Sequence, residues 1–82
     1  MMLLSTIAVW THGQLFGADA EITGVAIDTR KLKPGDLFVA IRGERVDGHD
    51  YLAEAAARGA VAALVTRKVD SVLPQVDRKS VV

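Results

Sequence analysis

Two short polar stretches hold the side chains best suited to chemistry. Asp28-Thr29-Arg30 follows the apolar run 22–27, and Arg42-Gly43-Glu44-Arg45 follows the apolar run 37–41. In an open α/β sheet, ligands bind beyond the carboxyl ends of strands, where loops converge. If the two runs are parallel strands, both stretches lie on one edge. They then offer a hydroxyl, backbone amides around Gly43 and the guanidinium groups of Arg30, Arg42 and Arg45. Such a set suits a phosphate or diphosphate held by forked, charge-assisted hydrogen bonds. A plainer reading stands beside it: Asp28 pairs with Arg30 to pin a turn, and Gly43 among charges is a solvated turn rather than an anion nest.

Other chemistries find less support. Asp47, His49 and Asp50 resemble a metal set, but helix capping accounts for both aspartates, and one His with no second His at i+4 leaves too few ligands. His12 reads as a helix-end residue, where positive charge is favoured. Ser5, Ser71 and Ser80 have no G-x-S-x-G setting and no Ser-His-Asp order. Neither G-x-x-x-x-G-K-[ST] nor G-x-G-x-x-G occurs, and with no Cys there is no thiolate, disulfide or cysteine-bound zinc.

The elements that position these stretches follow from the apolar spacing. Leu3, Leu4, Ile7, Ala8 and Trp10 or Thr11 recur at helical intervals, and Gly13 is expected to close that helix. Residues 14–16 suit a brief strand ended by Gly17, and 22–27 a longer one. Lys33-Pro34-Gly35 is a turn, with Pro at its first central position and Gly at its second. Residues 37–41 form an unbroken apolar run, which suits a strand covered on both faces.

Asp47 then caps a helix in which Tyr51, Leu52, Ala55, Ala56 and Gly59 keep one side apolar, while Glu54 and Arg58 pair at i,i+4. Residues 61–65 give another buried strand. The span 37–65 is thus a strand-helix-strand crossover, and the fold class is α/β: a small mixed or parallel sheet with flanking helices. Beyond Lys68 the pattern weakens: a further strand can begin there, without the element that would cover it, and 75–82 departs from an apolar strand.

The 82 residues suffice for one small domain, burying roughly 60% of its unfolded surface and only marginally stable alone. Ten basic residues balance ten acidic ones, and no Lys/Arg cluster exceeds a pair, so nucleic acid is not an expected partner. Residues 1–10 are mostly apolar and Ala18-Asp19-Ala20 resembles a cleavage site. No basic residue precedes the run, however, and Ser5 and Thr6 interrupt it. It is also shorter than the roughly 20 residues a membrane span needs. Neither a leader nor a membrane partner is expected, and the expected compartment is the cytoplasm.

Four segments in order carry a family resemblance. They are Ile22-Thr23-Gly24-Val25-Ala26-Ile27-Asp28-Thr29-Arg30, then Lys33-Pro34-Gly35-Asp36-Leu37-Phe38-Val39-Ala40, then Gly43-Glu44-Arg45-Val46-Asp47-Gly48-His49-Asp50-Tyr51, and Ala57-Arg58-Gly59-Ala60-Val61-Ala62-Ala63-Leu64-Val65. Together they resemble the N-terminal domain of the Mur ligases. The resemblance implies a cytoplasmic enzyme of peptidoglycan synthesis that uses ATP and magnesium to form an amide through an acyl phosphate. Its first domain binds the UDP-N-acetylmuramoyl-peptide.

On that resemblance the UDP-binding residues are Asp28, Thr29, Arg30, Gly43, Glu44, Arg45 and His49, with no catalytic residue and no metal ligand in this chain. The whole of 1–82 then corresponds to a truncated N-terminal substrate-binding domain with a 14–66 core and an uncertain 75–82 tail, which is expected to be a cloned or frameshifted end. The ATPase and C-terminal domains are absent from it, so the fragment alone is expected to be inactive and to partner the remaining ligase domains in a full-length chain. Arg45 within G-E-R-x-D favours the branch that adds D-alanyl-D-alanine. The alternatives are the branch that adds the third stem-peptide amino acid and a non-catalytic interaction module.

Overall fold

A computed structural model describes residues 2–78. Its elements are β1 (Met2–Leu3), α1 (Leu4–Trp10), β2 (Gln14–Phe16), β3 (Glu21–Ile22), β4 (Gly24–Ala26), β5 (Asp36–Val39), α2 (Leu52–Ala57), β6 (Ala62–Val65) and β7 (Gln75–Asp77). Single 3-10 turns at Thr29–Lys31 and Gly48–Tyr51 follow β4 and lead into α2. Five strands form one sheet in the order β2-β7-β6-β5-β4, and β1 pairs with β3 apart from it. The sheet is mixed: β4, β5, β6 and β7 run parallel, and β2 is antiparallel to β7.

Successive side chains of a strand point to opposite faces, so the apolar runs of β5 and β6 feed two cores. Phe38, Ala63 and Val65 pack with Leu52, Ala55 and Leu73 on the α2 side. Leu37, Ala62 and Val76 pack with Leu4 and Ile22 on the α1 side. Small residues at 55, 62 and 63, all fully buried, let the layers approach closely. The Lys33-Pro34-Gly35 turn forms as the residue types demand, with Gly35 at φ +93 and the Asp36 N–H on the Lys33 carbonyl at 3.1 Å.

Three local expectations are corrected. The run 22–27 is not one strand: Glu21–Ile22 pairs with Met2–Leu3, and Gly24–Ala26 joins the main sheet beside β5. Between them Thr23 donates its N–H to the Gly35 carbonyl at 3.1 Å, which turns the chain from one sheet to the other. At the end of α1, His12 rather than Gly13 takes the left-handed conformation, at φ 54. The His12 N–H returns to Val9 and the Gly13 N–H to Ala8, as in a Schellman closure. Gly13 is required for a different reason, since a Cβ there would sit 2.6 Å from the Asp77 carbonyl oxygen.

The third correction concerns the start of the 75–82 stretch. Residues 75–77 form β7, an interior strand between β6 and β2, with Gln75 and Val76 buried. A polar residue there escaped the apolar pattern because its amide is spent locally. Gln75 Nε2 donates to the Val69 carbonyl at 2.6 Å, and its Oε1 accepts the Val69 N–H at 2.9 Å. Residues 79–82 of that stretch lie outside the described residues.

Candidate functional site

Because β4 and β5 are parallel neighbours, the chain leaves both at the same sheet edge. A cavity of about 610 Å³ opens there. Ile27, Asp28, Thr29 and Arg30 line one side of it, and Ile41, Val46 and Gly48 another. Phe38 lies at its base, and Tyr51, Glu54 and Arg58 line the α2 side. Apolar walls with a few convergent polar groups are the usual make-up of a small-molecule site.

The first loop is held by its own side chains. Asp28 Oδ1 accepts the Arg30 N–H at 2.9 Å, capping the 3-10 turn, and the carboxylate takes the Arg30 Nε and Nη2 at 3.1 and 2.9 Å. The plainer reading of this pair is therefore realised. The Arg30 side-chain bonds, and then its backbone N–H, lower the Asp28 carboxyl to about 2. Reciprocally, Asp28 raises the Arg30 guanidinium. Thr29 is buried and lines the cavity, and among the described residues its hydroxyl makes no hydrogen bond.

The second loop is a tight hairpin. Arg42 and Asp47 form an antiparallel bridge, the Gly43 N–H reaches the Val46 carbonyl at 2.7 Å, and the Gly48 N–H reaches the Ile41 carbonyl at 2.8 Å. Glu44 and Arg45 occupy its exposed tip. Gly43, Glu44 and Arg45 do not line the cavity, whereas Val46 does. The Gly43 amide is consumed within the hairpin, so this N–H is not free for an anion.

His49 is placed differently from the other candidates. Its ring is buried, with Nδ1 2.6 Å from Asp47 Oδ1 and Nε2 accepting the Thr66 N–H at 3.0 Å. The backbone donor at Nε2 requires the neutral ring to carry its proton on Nδ1. The Asp47 carboxyl is held well below the usual range by the His49 backbone N–H first, then by the His49 ring and Arg67. Sequence reasoning did not connect Thr66 and Arg67 to this loop, because they lie 17 and 20 residues away. It also left Tyr51, Glu54 and Arg58 off the site, although their spacing places them along one helix face.

Among the described residues no group of three or more His, Cys, Asp or Glu could hold a metal ion. The sequence also holds no G-x-x-x-x-G-K-[ST] phosphate loop. No described helix is long and apolar enough to cross a membrane.

Comparison with known proteins supplies the family. A model described as "Mur ligase family, catalytic domain" matches residues 21–80. The chain belongs to the Mur ligase family. This Mur ligase chain is 51% identical over 72 residues to the UDP-N-acetylmuramoyl-tripeptide--D-alanyl-D-alanine ligase of Escherichia coli, covering 88% of itself and 16% of that protein. It is 48% identical over 56 residues to the UDP-N-acetylmuramoyl-L-alanyl-D-glutamate--2,6-diaminopimelate ligase of Bacillus licheniformis, covering 68% of itself and 12% of that protein. Among solved structures, MurF from Acinetobacter baumannii superposes with a TM-score of 0.75 at 28% identity, over 88% of this chain and 17% of that one. The resemblance drawn from the four motif segments and the α/β class are both upheld. The chain thus spans between about an eighth and a sixth of the length of these relatives.

Proposed function

We propose that this chain is the UDP-N-acetylmuramoyl-peptide-binding domain of an ATP-dependent amide ligase that adds D-alanyl-D-alanine in peptidoglycan precursor synthesis in the cytoplasm. One observation carries the reading: in a Mur ligase chain, the polar Asp28-Thr29-Arg30 turn and the base of the next hairpin, through Ile41, Val46 and Gly48, line one cavity at the carboxyl edge of parallel strands. In it, the Thr29 hydroxyl and the outward donors of Arg30 face the diphosphate, with Asp28 orienting Arg30. Gly43, Glu44 and Arg45 close the hairpin over the nucleotide, and His49 acts from beneath by fixing that hairpin. ATP and magnesium belong to other parts of such an enzyme, and no step of the ligation runs through residues 2–78.

Over alignments of equal length, 72 residues, identity is 51% to the dipeptide-adding relative against 43% to a diaminopimelate-adding one, which favours the dipeptide-adding branch. Calorimetric titration of the chain with UDP-N-acetylmuramoyl-tripeptide tests the reading. The tripeptide nucleotide binds and ATP does not. Thr29→Ala and Arg45→Ala each weaken binding about tenfold, the factor expected for one hydrogen bond to a charged group. Equal affinity in both variants would reduce the two loops to structural turns, and self-association with no nucleotide binding would favour an interaction module.

A further inference from the structure

We propose that Arg67, on the loop after β6, is a positioning residue for the ligand-facing hairpin and acts through Asp47. The inference deepens the nucleotide-site reading and rests on it. Asp47 divides its carboxylate between two tasks. Oδ1 accepts the His49 N–H at 3.0 Å and faces the His49 ring, while Oδ2 accepts Arg67 Nη2 at 2.9 Å. Asp47 is also one half of the bridge to Arg42 that closes the hairpin, and Thr66, next to Arg67, donates its N–H to His49 Nε2. The hairpin after β5 is therefore tied to the end of β6 twice, once through a buried imidazole and once through an exposed ion pair.

The two ties have different consequences. The His49 ring is almost fully buried, so removing it opens a hole beside the core and leaves Asp47 without its closest donor. Arg67 is more than half exposed, so truncating it uncovers far less than truncating the buried His49 ring. What Arg67 restrains is the rotation of the Asp47 carboxylate, and with it the path of the chain through Val46 and Gly48, both of which line the cavity. A site held this way binds with less ordering cost than one whose wall must settle on the ligand.

The test measures tripeptide-nucleotide affinity and amide exchange of Gly43 and Thr66 in Arg67→Ala, Arg67→Lys, Asp47→Asn and the Arg67→Ala/Asp47→Asn pair. Asp47→Asn keeps an acceptor for His49 but turns a donor toward Arg67. Arg67→Ala weakens binding about fivefold, Arg67→Lys recovers part of it, and the double variant is no worse than Asp47→Asn alone. Gly43 exchange accelerates in Arg67→Ala while the thermal midpoint stays near that of the unaltered chain. Unchanged affinity and exchange in Arg67→Ala overturn the inference while leaving the nucleotide site intact. An unaltered chain that binds no nucleotide overturns both.

Discussion

Arg30 grips Asp28 along the full edge of its carboxylate, with Nη2 2.9 Å from Oδ2, Nε 3.1 Å from Oδ1, and the Arg30 backbone N–H on Oδ1 at 2.9 Å. The Arg30 side chain nonetheless remains 82% exposed. A guanidinium carries five N–H donors in a rigid fork, so a pair that pins the turn also orients the remaining donors outward. The structural and the ligand-facing roles of this dyad are thus compatible.

That pairing makes stability acid-sensitive. The Asp28 carboxyl titrates at about 2 in the folded chain against 3.8 for the free group. A depressed folded value stabilises the fold fully above 3.8, and the contribution is lost as pH falls through about 2. Asp47 adds to the same trend. Asp28→Asn is expected to lower the urea midpoint at about pH 7 and to narrow its drop between there and about pH 3. Parallel urea curves for the two chains at each pH check this.

His12 and Gly13 predict opposite responses at adjacent positions. His12 holds a left-handed backbone that glycine adopts freely, so His12→Gly should stabilise by about 1 kcal/mol. Gly13→Ala drives a methyl against the Asp77 carbonyl and Val76 and should destabilise. Thermal midpoints of the two variants decide whether the closure and the close approach are assigned to the right residues.

Gln75 should tolerate no apolar replacement. Gln75→Leu strips the Val69 N–H and carbonyl of their partners and should cost about 2 kcal/mol. Ending the chain after Pro74 removes the strand between β6 and β2, and should abolish cooperative unfolding. Denaturant titration followed by circular dichroism reads both.

The elements legible in the sequence are those whose residue types act locally. Pro34-Gly35 and Gly59 punctuate the β5-α2-β6 unit, and its apolar runs are long enough to be read without ambiguity. The split at Thr23 was not legible, because alternation continues through it and the deciding contact is with Gly35, twelve residues on. Gln75 was misread because a buried amide satisfied by Val69 looks like a surface residue in a sequence. Asp28, Thr29 and Arg30 were found together as a contiguous motif, whereas the tie of Asp47 to Arg67 exists only once β5 and β6 are side by side.

The central claim, that the cavity between the Asp28-Thr29-Arg30 turn and the 42–47 hairpin receives the UDP end of the substrate, is tested most directly by an amide-shift titration with UDP-N-acetylmuramoyl-tripeptide, with ATP as the control. Shifts concentrated at residues 28–30 and 43–50 with the UDP compound, and none with ATP, are the predicted result. A dispersed, folded spectrum unmoved by the UDP compound, or shifts confined to the amino-terminal ends of β4 and β5 around Thr23, Gly24 and Asp36, would contradict it.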